Sequence, residues 1–195
     1  NDEKPQTALK YARRILPYLK KSGLKIIMEP GRFIVGNAGI LVTKVLYVKT
    51  TPKKKFVIID AGMNDLVRPA LYGAYHQILP LRTTNDPSTS PFDVAQGKLG
   101  AGARRTTVKV DIVGPICESG DFLAKERLMP PVQEGAYLAV MGAGAYGFSM
   151  ASNYNSRRRP QEVMVVKDKV LVIRKRETFR DLINNEEIPP ALSGL

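Results

Sequence analysis

Residues 108–121 read VKVDIVGPICESGD. The apolar run 108–116 has the composition of a β-strand, and its Gly-Pro pair ends the strand in a tight turn. Cys117, the only cysteine of the chain, follows this turn and is itself followed by the carboxylate of Glu118. Because catalytic groups often lie on loops that a rigid sheet holds, we expect this thiol to lie accessible on such a loop.

A carboxylate next to a thiol disfavours the negatively charged thiolate. We therefore expect Cys117 to carry its proton and to serve as a proton donor. The alternative is a small buried hydrophobic side chain, which is the more frequent state of a lone cysteine. The motifs elsewhere in the chain favour the first interpretation.

The composition is that of a globular protein, with 195 residues of which 44% are hydrophobic, enough for one large or two small domains. A single cysteine excludes an internal disulfide and favours the cytoplasm, where thiols stay reduced. No apolar run approaches the roughly 20 residues needed to span a bilayer. The chain begins Asn-Asp-Glu-Lys, so we expect a processed start or a part of a longer polypeptide.

The net charge of +12 raises nucleic acid, membrane surfaces and anionic small molecules as partners. Residues 157–180 hold nine Lys or Arg against three Asp or Glu, interspersed with Val, Leu and Ile. This alternation is typical of the solvated face of a strand. A basic β-barrel that binds nucleic acid stays an alternative, but the chain has no helix-turn-helix, zinc-finger or aromatic RNA-binding motif. We therefore expect only weak, sequence-independent binding to DNA.

Residues 1–36 predict the closing unit of a parallel α/β structure. Apolar residues recur at helical spacing over residues 7–21, with a threonine cap before them and a glycine stop after them. Residues 24–28 then predict a short apolar strand that runs into the loop 29–32. Helix, strand and loop in this order indicate the last helix-strand unit of an (α/β)8 barrel without its predecessors.

Residues 37–185 predict a mainly β domain, a Greek-key barrel or sandwich, and residues 186–195 a tail. The predicted elements are strands at 40–51 and 56–59 joined by a turn at 52–55, a polar loop at 60–65, a turn or helix at 68–72, strands near 76–81, 108–116 and 137–141, a hairpin of 160–166 with 170–176, and a helix at 178–183. Residues 122–128 lead to the prolines at 130 and 131 without a predicted element. Residues 82–105 predict a mobile surface excursion.

Two further features concern possible sites. His76, the only histidine, has no Cys, Asp or Glu at ligand spacing, so we expect a structural role and no metal site. Residues 142–147 read GAGAYG, where small residues let the backbone approach a ligand and Tyr146 offers a hydroxyl. A glycine-rich turn with a core tyrosine is the alternative interpretation of this segment.

Five motifs in this order resemble diaminopimelate decarboxylase, a pyridoxal-phosphate enzyme of the alanine-racemase-like barrel class. They are EPGR at 29–32, RPALYGAYH at 68–76, GPICESGD at 114–121, GAGAYGFSMASNYNSR at 142–157 and RETFRDL at 176–182. The CESGD form separates this family from ornithine decarboxylases. The resemblance runs from about residue 26 to the helix that begins near Thr178, so it identifies the chain as similar to the C-terminal portion of such enzymes.

The resemblance implies a cofactor site at the first motif. Glu29 would meet the pyridine nitrogen of pyridoxal phosphate, and Pro30, Gly31 and Arg32 would lie against its phosphate. Tyr146 would pack against the cofactor, help to hold its phosphate and contact the substrate.

The resemblance also implies a substrate site. Arg32 and Arg68 would bind substrate carboxylates with their planar guanidinium groups, and the Tyr72 hydroxyl would act at the same end. Cys117 would protonate the substrate carbon after carbon dioxide leaves, and Glu118 would pair with the distal ammonium of the substrate. Both would reach into the site of a second subunit, which implies a homodimer with composite active sites.

The implied reaction is the pyridoxal-phosphate-dependent decarboxylation of meso-2,6-diaminopimelate to L-lysine and carbon dioxide, the last step of lysine biosynthesis. The barrel of such enzymes needs about 250 residues and carries the cofactor lysine near its start. No lysine here lies in a matching motif, so we expect that this chain alone does not hold the cofactor covalently. The alternatives are a non-catalytic β-domain that binds partners, and a decarboxylase of a related diamino acid such as ornithine or carboxynorspermidine.

Overall fold

The computed structural model describes residues 6–81 and 107–192. The chain divides into two compact units, with the division between Pro30 and Gly31. The domain boundaries predicted after residues 36 and 185 stay predictions. The excursion predicted for residues 82–105 lies outside the described residues. Within the described part of the chain, no helix is long and apolar enough to cross a membrane.

The first unit contains helix α1, Ala8–Lys21. Thr7 caps this helix, because its hydroxyl accepts a hydrogen bond from the backbone N–H of Lys10 at 3.3 Å. Gly23 lies just beyond the C-terminal end with a φ of 67°, a left-handed conformation that glycine adopts without strain. The predicted helix and its two end signals are confirmed.

The strand predicted for residues 24–28 is wrong for this structure, since the segment 23–30 has no regular secondary structure. Leu24 and Ile27 are 72% and 78% exposed. A β-strand requires a hydrogen-bonded neighbour, and the described part of the first unit contains no strand that could pair with this segment. The predicted barrel unit is therefore not confirmed, although its helix is.

In the described residues of the second unit, the main element is a six-stranded sheet. Its strands are β1 Leu41–Thr50, β2 Lys55–Ile59, β3 Ile78–Leu81, β4 Val108–Val113, β5 Phe122–Met129 and β6 Tyr137–Val140. The order across the sheet is β3-β6-β1-β2-β4-β5. Neighbouring strands are antiparallel except β2 and β4, which are parallel. The hairpin predicted across residues 52–55 is confirmed as the β1–β2 pair.

The core of the second unit follows the alternation of the strands. In β2, Val57 and Ile59 are buried while their neighbours are partly exposed, as the period of two requires. In β6, by contrast, residues 138–140 are all buried. This central strand is thus covered on both faces, as its continuous apolar run predicts.

The remaining helices and strands lie before, between and after the strands of this sheet in the sequence. They are helix α2 Gly31–Val35, helix α3 Arg68–Tyr72, the hairpin of β7 Glu162–Val166 and β8 Lys169–Arg174, and helix α4 Phe179–Ile183. Short 3-10 turns occur at 36–38, 148–150, 154–156 and 190–192. The predicted hairpin near the C-terminus and the helix after it are confirmed.

The fold class is confirmed as mainly β. The predicted closed Greek-key barrel or sandwich is not confirmed. The six strands have a linear order with β3 and β5 at its edges among the described residues, so the sheet is a curled half-barrel. The β7–β8 hairpin is a separate two-stranded sheet. Its basic side chains are solvated as predicted, and apolar residues such as Val165 and Val170 are 67% and 65% exposed as well.

Candidate active site

The loop 114–121 joins β4 to β5 and presents Cys117. Its base is closed by the backbone N–H of Gly114, which donates to the carbonyl of Asp121 at 3.1 Å. Asp121 is only 4% exposed, and its carboxylate accepts backbone hydrogen bonds from Met63 and Ile116, both at 2.7 Å. These bonds fix the loop from within.

Cys117 is exposed on this loop. The alternative interpretation of a small buried hydrophobic residue is therefore wrong for the described structure. The thiol can meet a molecule that arrives from solvent or from another chain, as a proton donor must.

Glu118 lies next to the thiol with both carboxylate oxygens held. Oε1 accepts the backbone N–H of Gly120 at 3.0 Å, and Oε2 accepts the hydroxyl of Tyr154 at 3.1 Å. The Gly120 bond, and then the Tyr154 bond, lower the pKa of Glu118. Glu118 is therefore ionised at neutral pH and is suited to bind a cation.

Tyr154 lies in a segment whose neighbouring residues, before and after it, form side-chain hydrogen bonds with other parts of the chain. The Asn153 amide donates to Oε2 of Glu177 at 2.6 Å, and Arg159 forms an ion pair with the same carboxylate at 2.5 Å. Arg157 donates from Nε to the side-chain oxygen of Asn64 at 3.1 Å. The segment thereby connects the loop of Glu118 to the start of helix α4.

Arg68 lies in helix α3, and two of its side-chain nitrogen atoms are buried without a hydrogen bond to the described residues. Its Nε and Nη1 atoms are buried, and neither has a hydrogen-bond partner among the described residues. The guanidinium carbon lies 5.7 Å from the centre of the Tyr146 ring. Because buried N–H groups without hydrogen-bond partners are costly, this arrangement fits an anionic ligand, such as the carboxylate of an amino acid or a phosphate.

Tyr146 lies in the loop 142–147 with a φ of 58°, and its side chain is half exposed. The loop is attached to the turn after α2, because Ala143 and Gly144 donate backbone hydrogen bonds to Gly39 and Gly36 at 2.9 and 3.0 Å. A Cβ atom on Gly144 would overlap the carbonyl of Val35, so only glycine permits this approach. The glycines thus let the loop that carries Tyr146 approach the end of helix α2.

His76 is buried next to these arginines. Its Nδ1 lies 2.8 Å from the carbonyl oxygen of Met141, so Nδ1 carries the proton. Burial lowers the pKa of His76, and the nearby charges of Arg68, Arg32 and Arg127 lower it further. The ring is therefore neutral, in agreement with a structural role.

The predicted site residues fall into separate groups. Arg68 and Tyr146 are brought together, and Tyr72 ends the same helix as Arg68 with an exposed side chain. Cys117 and Glu118 form a second group with Tyr154. Within residues 31–81 and 107–192, no hydrogen bond, ion pair or cation–π contact joins the two groups.

The first predicted motif is divided between the two units. Glu29 and Pro30 lie exposed at the end of the first unit, whereas Gly31 and Arg32 begin helix α2 of the second unit, also exposed. Their roles toward the cofactor stay predictions.

The sequence did not single out three residues that the structure places at the site. Asp121 was part of a motif but had no assigned role, and the contacts of Tyr154 and Glu177 join residues far apart in the chain. Tyr154 lies 36 residues from Glu118, its hydrogen-bond partner. No spacing rule connects such positions, so only the fold reveals them.

Comparisons with known proteins identify the family of this chain. Residues 26–144 match the family described as pyridoxal-dependent decarboxylase, C-terminal sheet domain. Diaminopimelate decarboxylase of Aquifex aeolicus is 52% identical over 155 residues, which cover 80% of this chain and 32% of that protein. Diaminopimelate decarboxylase of Pseudomonas fluorescens is 46% identical over 189 residues, which cover 97% and 41%.

A solved structure gives the same result. The crystal structure of diaminopimelate decarboxylase from Helicobacter pylori complexed with L-lysine matches with a TM-score of 0.75 at 40% identity, over 95% of this chain and 41% of that chain. The chain thus spans 32% to 41% of the length of these relatives. It belongs to the pyridoxal-dependent decarboxylases, whose C-terminal sheet domain it carries, and its similar relatives are diaminopimelate decarboxylases.

Proposed function

We propose that the chain is the C-terminal part of an enzyme that converts meso-2,6-diaminopimelate to L-lysine and carbon dioxide with pyridoxal 5'-phosphate. The observation that carries this proposal is the loop 114–121, which presents an exposed thiol next to an ionised carboxylate. A diamino acid substrate needs both groups, the thiol for the reacting carbon and the carboxylate for the distal ammonium. The relatives named above support the same substrate.

Cys117 acts as the proton donor in this proposal. When carbon dioxide leaves, the substrate carbon must receive a proton, and a thiol that solvent can reach can supply it from one face. Glu118 binds the distal ammonium of the substrate, since its pKa is lowered and both oxygens are held in place. The loop therefore supplies one group for chemistry and one for recognition.

Arg68 binds an anionic group in this proposal, because its buried Nε and Nη1 atoms lack partners among the described residues. Diaminopimelate carries a second carboxylate that does not react, and this carboxylate is the ligand that we assign to Arg68. Arg32 and Tyr72 act at the same end, and Tyr146 would pack against the cofactor.

Pyridoxal phosphate, when bound, supplies an electron sink for the negative charge left on the substrate carbon. The residues of this chain that would hold it are Glu29 at the pyridine nitrogen, Pro30, Gly31 and Arg32 at the phosphate, and Tyr146. The buried Nε and Nη1 atoms of Arg68, which lack hydrogen-bond partners among the described residues, support a site for anions next to Tyr146.

We further propose that the enzyme is a homodimer with composite sites. Within the described second unit, no hydrogen bond, ion pair or cation–π contact joins the group of Cys117 and Glu118 to the group of Arg68 and Tyr146. A two-fold dimer can bring the first group of one subunit to the second group of its partner. The cytoplasmic location inferred from the single cysteine stays a prediction.

The direct test uses the complete enzyme with bound pyridoxal phosphate. We expect carbon dioxide release from meso-diaminopimelate with formation of L-lysine. Cys117→Ala should lower kcat by about 10²–10⁴-fold and change KM little, because a general acid acts after binding. Glu118→Ala should raise KM at least as much as it lowers kcat, because its ion pair exists before the reaction begins.

The alternatives give other results. Turnover of ornithine or carboxynorspermidine in preference to diaminopimelate would assign the enzyme to a related diamino acid. Absence of any carbon dioxide release from the complete, cofactor-loaded protein would contradict the proposal and favour a non-catalytic binding module.

A further inference from the structure

Tyr154 holds the second carboxylate oxygen of Glu118. Its hydroxyl donates to Oε2 at 3.1 Å, while the Gly120 backbone donates to Oε1 at 3.0 Å. The hydrogen bond to Glu118 raises the pKa of Tyr154, so the hydroxyl stays a donor throughout the neutral range. Each carboxylate oxygen can accept a second hydrogen bond, so a bound ammonium does not need to displace Tyr154.

The backbone after Tyr154 is strained. Asn155 and Ser156 have φ angles of 52° and 54°, in the left-handed region that residues other than glycine rarely adopt. Such strain persists where the surrounding structure enforces it, and it is frequent at functional sites.

Side chains on both sides of the strained pair provide this enforcement. Asn153 donates to the Glu177 carboxylate at 2.6 Å and to the carbonyl of Arg157 at 2.9 Å. Arg157 donates to Asn64 at 3.1 Å and also to the carbonyl of Asp60. The backbone on both sides of Tyr154 is therefore held by contacts with two distant parts of the second unit.

We propose that Tyr154 is a positioning residue that orients the Glu118 carboxylate and so determines the preference for a substrate with a distal ammonium. This inference rests on the proposed function, in which Glu118 binds that ammonium. A glutamate on an exposed loop has several rotamers, and only those that face the substrate bind it well. The Tyr154 hydroxyl selects one of them and keeps the carboxylate ionised.

The test is Tyr154→Phe in the complete, cofactor-loaded enzyme, compared on two amino acids. For meso-diaminopimelate we expect KM to rise about 5–10-fold with kcat within about 2-fold, the size expected for loss of one typical hydrogen bond. For 2-aminopimelate, which lacks the distal ammonium, we expect the inhibition constant to stay unchanged. Tyr47→Phe, at an exposed strand position outside this loop, is the matched control.

A double-mutant cycle separates positioning from general structure. In a Glu118→Gln background, Tyr154→Phe should add no further rise in KM, because the group that it orients has been changed. A second readout requires no turnover: the pKa of Glu118, followed by NMR of labelled glutamate in the substrate-free enzyme, should rise in the Tyr154→Phe variant.

The outcomes distinguish the two proposals. If the wild-type enzyme releases no carbon dioxide from diaminopimelate, the proposed function is wrong. If the wild-type enzyme is active but Tyr154→Phe leaves KM unchanged, or weakens both amino acids equally, only the inference about Tyr154 is overturned. An unchanged Glu118 pKa together with additive effects in the double mutant would overturn it as well.

Discussion

The carboxylate of Asp121 occupies the space next to Gly114 that a side chain would need. A Cβ atom on Gly114 would overlap both carboxylate oxygens of Asp121, which accept the backbone hydrogen bonds of Met63 and Ile116. The glycine of the GPICESGD motif is therefore required by the aspartate of the same motif. The conformation of the loop that carries Cys117 depends on this pair.

Gly114→Ala should displace the Asp121 carboxylate and break at least one of its two backbone hydrogen bonds. We expect the free energy of unfolding to fall by about 1–3 kcal/mol, because a buried donor would be left without a partner. We also expect kcat to fall, because Cys117 would move with the loop. Urea unfolding and steady-state kinetics of the complete enzyme measure the two effects.

Gly120→Ala is the matched control in the same loop. A Cβ atom on Gly120 would make ordinary contacts, the nearest at 3.6 Å from Glu118 Oε1. We expect the unfolding free energy of this variant to stay within about 0.5 kcal/mol of wild type. Equal destabilisation by the two substitutions would show that the contact with Asp121 has no special importance.

Glu177 should make the free energy of unfolding of the enzyme decrease at low pH. The hydrogen bonds from Arg159 lower the pKa of Glu177 to about 2 from an ordinary value of 4.5. The folded state therefore binds this proton less readily than the unfolded state. The stabilisation is complete above about pH 4.5 and is lost as the pH falls through about 2.

Glu177→Gln should lower the free energy of unfolding by about 1–3 kcal/mol at pH 7, and the difference from wild type should shrink toward pH 2. Glu162→Gln is the control, because the Glu162–Arg174 pair has a longer contact of 3.2 Å and more exposed side chains. We expect a smaller effect there, as is usual for surface pairs. A pH-independent loss in Glu177→Gln would contradict the prediction.

His76 should also make the stability fall on acidification, but in a higher pH range than Glu177. Burial lowers its pKa, so the folded state holds the ring neutral at a pH where the unfolded state is already protonated. The unfolded state then binds more protons, and the free energy of unfolding falls as the pH drops below about 6.5. The Met141 carbonyl, which accepts the Nδ1 hydrogen bond, only partly offsets this effect.

His76→Asn keeps a donor for the Met141 carbonyl but cannot titrate. We expect lower stability at pH 8, because the smaller side chain leaves a gap, and a flatter dependence of the unfolding free energy between pH 7 and 5. Urea unfolding at several pH values measures the slope. A slope equal to that of wild type would show that His76 does not titrate in this range.

Local sequence signals predicted the elements whose partners are near in the chain. The β1–β2 hairpin followed from the turn at Pro52, and helix α1 followed from Thr7 and the apolar spacing. The strand expected at residues 24–28 failed because strand formation depends on a neighbour, which no local pattern specifies. The parallel pairing of β2 with β4 is likewise non-local.

In the candidate site, too, residues of one short motif were predicted and residues joined by long-range contacts were not. Cys117 and Glu118 were found because the lone thiol and its neighbouring carboxylate form one short motif. Tyr154 and Glu177 were missed because each acts through a residue far along the chain, 36 and 24 positions away. Hydrogen bonds of this kind follow from the packing of the fold and leave no periodic trace in the sequence.

The composite site can be tested by mixing two inactive enzymes. One carries Cys117→Ala, and the other lacks the cofactor lysine of the barrel. With random pairing of equal amounts, half of the dimers are mixed, and each mixed dimer contains one intact site of its two. We therefore expect activity to recover to about a quarter of wild type.

The control for this mixing experiment is Arg68→Ala combined with the variant that lacks the cofactor lysine. In the proposed dimer, Arg68 and the lysine serve the same site, so every site of a mixed dimer lacks one of the two groups, and no activity should return. Native mass spectrometry verifies that mixed dimers form. If they form and the Cys117→Ala mixture stays inactive, Cys117 does not serve the neighbouring subunit. Recovery in the Arg68→Ala mixture would instead place Arg68, and not only the thiol, across the interface.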